Sequence, residues 1–269
     1  MLAEVVAFLA PGKLVADVCE FGDAAIVAAC AKVYKSKKDM KKGIAFPTCV
    51  SVNEVIAHYS PQKSESRTLA EGDAVKVDLG VHIDGFVALV AHTVVLRAAD
   101  AAPLTGPQAD VISAAYAAAE VALRLIKPGG KGSAVASAVE KVAAAHGVSI
   151  VSAVQCTELQ YFSLDRGKAV PLRREPGTKY EECTFGPNEA WAVEVALTTG
   201  DGKPHETEAR TTVFRRAVEV STSAPRAHAR AAARAPRRSP TSQRPRAALP
   251  PLLHSPRSPT RTRARRRRS

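Results

Sequence analysis

The hydrophobic positions of this chain repeat with two periods, and each change of period marks an element. Glu4 to Phe8 read as the end of a helix stopped at Pro11-Gly12. After Asp23, a residue type suited to an N-cap, Ile26, Ala29, Cys30 and Val33 recur at helical spacing and predict a helix reaching about Lys37. The pattern then turns to alternation. Pro47 and Pro61 bracket a strand-like segment, Cys49 to Tyr59, and after a polar loop (Gln62 to Arg67) two alternating runs meet at Asp84-Gly85. Asp-Gly between such runs is the strongest short-range hairpin signal.

A two-residue turn fixes the register of that hairpin. Ile83 faces Phe86, Val81 faces Ala88, Leu79 faces Val90 and Val77 faces His92, an apolar face expected to be core, with His92 buried in it. The other face pairs His82 with Val87, Gly80 with Leu89, Asp78 with Ala91 and Lys76 with Thr93. It is mixed, as a surface lining a cleft or meeting water is, and His82 beside the turn is expected to be exposed.

Helical spacing returns twice. Pro107 opens a helix carrying Val111, Ala115, Ala118, Ala122 and Leu125 on one face and stopping at Pro128-Gly129. Another follows Ser133, uses Val135, Val139 and Val142, and ends at His146-Gly147. A strand is expected over Val148 to Val154, mostly loop over Cys156 to Asn188, and a strand at WAVEVAL. In WAVEVAL, Glu194 shares a face with Ala192 and Ala196. A turn at Gly200 to Lys203 leads to a last strand, Thr211 to Arg215.

Composition changes this picture at Ala217. From there to Ser269 the chain holds fourteen Arg, no Lys and one acid, a local charge of +13 against +12 for the whole, so residues 1–216 stand at −1. The tail is Arg, Ala, Pro and Ser without an aromatic residue, and it is expected to be disordered because it buries too little apolar surface to offset its ordering entropy. It reads either as a nucleic-acid arm with salt-dependent phosphate contacts or as an artefact. A GC-rich gene read in a shifted frame or through an intron produces this composition, and that reading is favoured.

The cysteines Cys19, Cys30, Cys49, Cys156 and Cys183 are widely spaced, with no Cys-x-x-Cys pair. That pattern suits a reducing compartment and argues against a disulfide framework or a zinc knuckle. No apolar run approaches the ~18 residues of a membrane span. Glu4 interrupts the apolar first ten residues and no basic flank precedes them, which argues against a signal peptide and for a helix left by a chain cut short at its N-terminus.

Two carboxylates stand out. Asp78 and Glu194 each occupy an apolar strand, where acids are depleted, and both point toward one shared cleft if their strands are neighbours. Each alone also reads as a hydrogen-bonded acid at a wet sheet face. The lysines of KSKKDMKKG (Lys35, Lys37, Lys38, Lys41 and Lys42) read as a solvated helix end, or as a phosphate-contacting patch or a localisation signal. Ser60 beside His58 lacks an orienting acid nearby and does not suggest a triad.

The motifs AFPTCVSVN–AHYSP, VKVDLG–H-I-DG and ALRLIKPGG, in that order, resemble the methionine aminopeptidase-like pita-bread superfamily. Within it, KKGIAFPT, EGD-VK-DLGVH-DGF and VAHT look like the proliferation-associated, growth-factor-receptor-binding nucleolar branch. The resemblance covers roughly Leu14 to Arg216 and implies an α/β pita-bread fold, its first half complete and its second partial. In the superfamily's peptidases two Asp, one His and two Glu hold two divalent metals, and two further His contact substrate. Carried across, His58 matches the first substrate His, Asp78 the first metal Asp and Glu194 the first metal Glu. The second metal Asp falls at Leu89, the metal His at Thr157 and the second substrate His at Asp165, and the last Glu has no counterpart in the tail.

The resemblance therefore implies a pseudo-enzyme. It also implies a non-catalytic scaffold binding RNA or ribonucleoprotein and protein partners in growth, ribosome biogenesis and translation, in the cytoplasm and the nucleolus, with no membrane and no small-molecule substrate. No cofactor is expected, and two carboxylates hold at best one hydrated Mg²⁺ or Mn²⁺ weakly. The alternative is a metal-dependent methionine aminopeptidase with a divalent Mn, Co or Zn pair.

Overall fold

In the computed structural model of the chain, the described residues are 1–214 apart from 153, 176, 208 and 209, and they lie in one unit, Met1–Arg216. The disorder and phosphate-contact readings of 217–269 lie outside the described residues. Four α-helices, one turn of 3-10 helix (Lys63–Glu65) and eight strands are present among those described: α1 (Leu2–Phe8), α2 (Val15–Lys32), β1 (Lys42–Val52), β2 (Ala74–Ile83), β3 (Phe86–Val95), α3 (Pro107–Leu125), α4 (Gly132–Ala145), β4 (Ser149–Ile150), β5 (Gln155–Leu159), β6 (Ala169–Pro171), β7 (Ala190–Ala192) and β8 (Leu197–Thr198).

The hairpin of β2 and β3 has the register its turn dictates, from Ile83↔Phe86 through Asp78↔Ala91 to Val77↔His92. Its turn residues Asp84 and Gly85 take φ of 50° and 84°, the left-handed region that Asp-Gly tolerates. β1 pairs antiparallel with the other side of β2, giving the order β1-β2-β3.

The first strand is Lys42–Val52, running through Pro47, and not Cys49 to Tyr59. β1 is an edge strand whose register shifts between Ile44 and Phe46 and between Phe46 and Cys49, and an irregular edge accommodates a residue without an N–H.

The second helix is also displaced from its expected place, starting at Val15 and ending at Lys32, so Asp23 lies mid-helix. Asp23 Oδ1 instead accepts a hydrogen bond from the Thr48 backbone N–H at 2.8 Å. The side chain that suits a cap is used to join α2 to β1. The first core cluster forms where Val15, Val18, Ile26 and Cys30 of α2 pack on Val50, Val52, Val75, Val77 and Leu79. Full burial of each aliphatic side chain contributes about 1.5–3 kcal/mol.

The hairpin's apolar face is core only on β2. Val77 and Leu79 are buried, whereas Phe86 is 73% exposed, Val90 42% exposed and His92 exposed, against the expectation of a buried histidine. β3 is the open edge of its sheet, and α2 lies over β1, so alternation identified the face but not how far its cover extends.

The second core cluster joins Ala118 and Ala122 of α3 and Val135, Val139 and Ala143 of α4 to Cys156, Val170, Leu172 and Phe185. Cys156 to Asn188, expected as mostly loop, contains β5 and β6, ordered β6-β5-β7. Their polar residues gave no alternation to read, and pairing comes from partners distant in sequence. The expected strand Val148 to Val154 narrows to β4, which pairs with β8. WAVEVAL is not one strand. It gives β7 to one sheet and β8 to another, and Glu194 lies in the crossing between them. Residues 211–214 are not in a strand, and Arg215 lies outside the described residues. No helix among the described residues is long and apolar enough to cross a membrane.

Candidate functional site

The middle of β2 positions Asp78. Its partner across β1 is Cys49, and across β3 it is Ala91. Burial pushes the Asp78 carboxyl above its ordinary range, and the nearby His58 partly offsets that rise. Glu194 is pushed up to about 6, first by the protein packed around it and then by the charge of Asp78. Its side chain still keeps solvent access. Asp78 of β2, Glu194 of the β7–β8 crossing and His58 thus meet in one electrostatic neighbourhood. Burial and then the charge of Asp78 raise the Cys49 thiol, so it stays protonated at neutral pH.

His58 is presented by a strained loop. It has φ of 61° and lies against the Phe46 ring, centroids 5.0 Å apart. A non-glycine residue in this region costs on the order of 1 kcal/mol and persists only where its surroundings hold it. They do so here. Thr212 Oγ1 donates to the His58 carbonyl at 2.9 Å and accepts from the Ser60 N–H at 3.0 Å. Arg210 holds Glu65 of the same loop region at 2.7 Å.

The remaining positions supply different chemistry. Leu89 pairs with Gly80 on the same hairpin face as Asp78, diagonally across the ladder. A Cβ on Gly80 would lie 2.5 Å from Leu89 Cδ2 and 2.8 Å from Phe46 Cβ, so these side chains occupy the space above the glycine. Thr157 lies in β5 between Ala169 and Ala192. Asp165 is exposed between β5 and β6. Two carboxylates, an apolar side chain and a hydroxyl do not make the donor set of a metal pair, which takes oxygen and imidazole ligands on both ions. Among the described residues, no group of three or more His, Cys, Asp or Glu side chains is placed to hold a metal ion.

Sequence reasoning missed Lys76, on the same face of β2 as Asp78. Burial pulls its ammonium down to about 8, and it donates to the Asn53 carbonyl at 2.9 Å. An unbroken alternation gave its polarity but not its depth. His82, expected to be exposed, is half-buried, its ring centroid 5.6 Å from that of Phe162. The lysine run stands apart from the carboxylates, at the turn end of the hairpin. Lys35, Lys37, Lys38 and Lys41 are exposed, while Lys42 opens β1 and donates to the Val33 carbonyl.

This architecture is the pita-bread fold, and the profile of metallopeptidase family M24 matches residues 1–198; the chain belongs to that family. It is similar to proliferation-associated protein A of Dictyostelium discoideum, 43% identical over 205 residues covering 76% of this chain and 53% of that protein. The ErbB-3 binding protein 1 of Solanum tuberosum is 45% identical over 213 residues, covering 78% of this chain and 54% of its own length. The chain thus spans about half the length of the curated relatives it matches. Among solved structures, a thermophilic Arx1 superposes with a TM-score of 0.71 at 29% identity, covering 80% of this chain and 66% of that one. Methionine aminopeptidase from Thermotoga maritima shares the fold, with a TM-score of 0.61 at 23% identity, over 77% of this chain and 78% of the enzyme.

Proposed function

We propose that this chain is a non-catalytic member of its family. In this reading it is a peptidase-like scaffold that binds RNA or ribonucleoprotein and protein partners in the control of growth, ribosome biogenesis and translation, in the cytoplasm and the nucleolus. The observation that carries the reading is Leu89, packed over Gly80 on the face that presents Asp78. Water activation by a metal pair requires lone-pair donors on both ions about 3.5–4 Å apart, and an isopropyl group at that point offers none. Similarity to a proliferation-associated protein and to an ErbB-3 binding protein supports the growth-related part of the reading.

The test uses the purified full chain. After equilibration with Mn²⁺ or Co²⁺ and removal of free ion, elemental analysis is expected to find less than a metal pair per chain. A peptide with an N-terminal methionine should remain intact, while labelled RNA is retained on a filter. Two retained equivalents together with methionine release would establish the aminopeptidase alternative and overturn the proposal.

A further inference from the structure

The turn end of the hairpin carries aromatic rings that the scaffold reading does not use. Phe86, the first residue of β3, is 73% exposed; Tyr161 is 61% exposed and Phe162 49% exposed. They form one cluster. Phe86 and Tyr161 have ring centroids 5.5 Å apart, tilted by 68°, and Tyr161 and Phe162 are 4.7 Å apart at 80°. The Phe162 N–H donates to the Gly85 carbonyl at 3.0 Å, which fixes the cluster to the hairpin turn. Gly85 has a positive φ, and a Cβ there would run into the Phe162 ring.

Rings held edge to face do not cover one another as a stacked pair does. Their exposed faces remain available to a third planar group.

The lysine loop borders this cluster. The Lys41 ammonium lies 5.8 Å from the Phe162 ring centroid, and the Lys41 carbonyl accepts the Asp84 N–H at 2.6 Å. An open cavity of about 540 Å³ beside the turn is lined by Ser36, Lys37, Lys38, Asp39, Met40 and Asp84. Among the described residues, Lys35, Lys37, Lys38 and Lys41 are exposed and form no salt bridge. Asp39 and Asp84 offset part of this charge, so a modest positive surplus lies beside the exposed rings. Exposed rings next to cations that can meet phosphates are the combination that single-strand binders use.

We infer that Phe86 and Tyr161, with Phe162 beneath them and Lys35, Lys37, Lys38 and Lys41 alongside, form a stacking site for unpaired bases of single-stranded RNA. The inference rests on the RNA-binding part of the proposed function and adds its location and mode. Base faces lie on the rings and the backbone runs past the lysine loop. The site prefers unpaired over paired RNA, because bases in a duplex are already stacked.

The test uses the full chain and a fluorescein-labelled oligouridylate of about twelve nucleotides, within the ~4–16 nucleotide footprint of single-strand binders. Anisotropy is read at about 0.3 M KCl, where a Debye length below ~8 Å suppresses purely electrostatic contacts. Phe86→Ala and Tyr161→Ala should each weaken binding by about 5- to 150-fold, the effect of one stacked base, without changing the salt slope. Phe86→Tyr and Tyr161→Phe, which keep a ring, should restore it. Tyr116→Ala, a 71% exposed aromatic on α3, should bind like the parent. Both replaced rings are exposed, so thermal melts should coincide with that of the parent.

A parent chain that binds the oligonucleotide while Phe86→Ala and Tyr161→Ala bind equally well overturns the stacking site and leaves the RNA reading standing. A parent chain that does not bind at about 0.3 M KCl overturns the stacking site, and one that also fails to retain labelled RNA at low salt overturns the RNA reading as well. Photo-crosslinking of the parent to RNA containing 4-thiouridine gives an independent result. Adducts on the Phe86 or Tyr161 peptides support the site, and adducts confined to 217–269 overturn it.

Discussion

Leu89→Asp tests the donor argument directly, because it restores a carboxylate beside Asp78. Leu89 is half-buried, so its loss removes only part of the stabilisation of a fully buried leucine, about 1 kcal/mol. The new carboxylate stands diagonally across the ladder from Asp78, at roughly 7–8 Å. At an effective dielectric near 20, two charges at that distance repel by about 2 kcal/mol, for a total loss of about 3 kcal/mol at neutral pH.

The repulsive part is pH-dependent. Asp78 is already raised and Glu194 already titrates at about 6, and a third acid pushes all three higher. The folded state then binds more protons than the unfolded state from roughly pH 4 upward, so stability falls as pH rises through that window. Urea denaturation across this range should show the deficit of Leu89→Asp largest near pH 7 and shrinking toward its packing part near pH 4. Added Mn²⁺ should stabilise the variant more than the parent, since an ion bound only by the folded state stabilises by mass action. A deficit independent of pH, or a parent that gains as much from Mn²⁺ as the variant, would mean that the new carboxylate neither repels Asp78 nor joins it in holding an ion.

Asp78→Asn removes the second cause of the raised Glu194 carboxyl, so Glu194 should titrate below about 6 yet stay above the ordinary range, because burial is the larger cause. Carboxyl NMR resonances followed against pH check this. A folded-state value raised in this way makes the Glu194 contribution to stability fall as pH rises toward about 6, by an amount that solvent screening keeps small at so exposed a side chain. Gly22→Ala should destabilise despite the roughly 1 kcal/mol that helix propensity favours, because the new Cβ would lie 2.5 Å from Thr48 Oγ1 and 2.6 Å from Thr48 Cγ2. Overpacking of that kind costs about 1–3 kcal/mol, and a higher midpoint in a thermal melt would refute it.

Much of the hairpin was legible because its information is local. Asp84-Gly85 sets the turn, the turn sets the register, and the register places position 89 on the face of Asp78. The helices over Pro107–Leu125 and Gly132–Ala145 were legible for a similar reason, their stops lying in the same short stretch as their apolar stripes. Local rules failed where a residue's partner was remote. Asp23 looked like a cap but binds Thr48, and Pro47 looked like a strand boundary but sits at an irregular edge. Cys156 and Val170 carried no readable alternation but are buried where β5 meets β6.

Which donors the chain owns follows from its residues alone. Asp78, Glu194 and His58 are present, and Leu89 and Thr157 stand where the family resemblance places metal ligands. Donor chemistry belongs to side-chain identity, which folding does not alter. Which of these groups feel one another, and which surfaces stay open, depends on how the chain packs. Glu194 rises because the packed protein and then Asp78 lie around it, and Lys76 falls because packing takes its ammonium partly out of water. Phe86 and Tyr161 form an exposed cluster because a hairpin turn meets the loop after β5. Burial and proximity depend on contacts between distant parts of the chain, and no periodicity along the sequence encodes them.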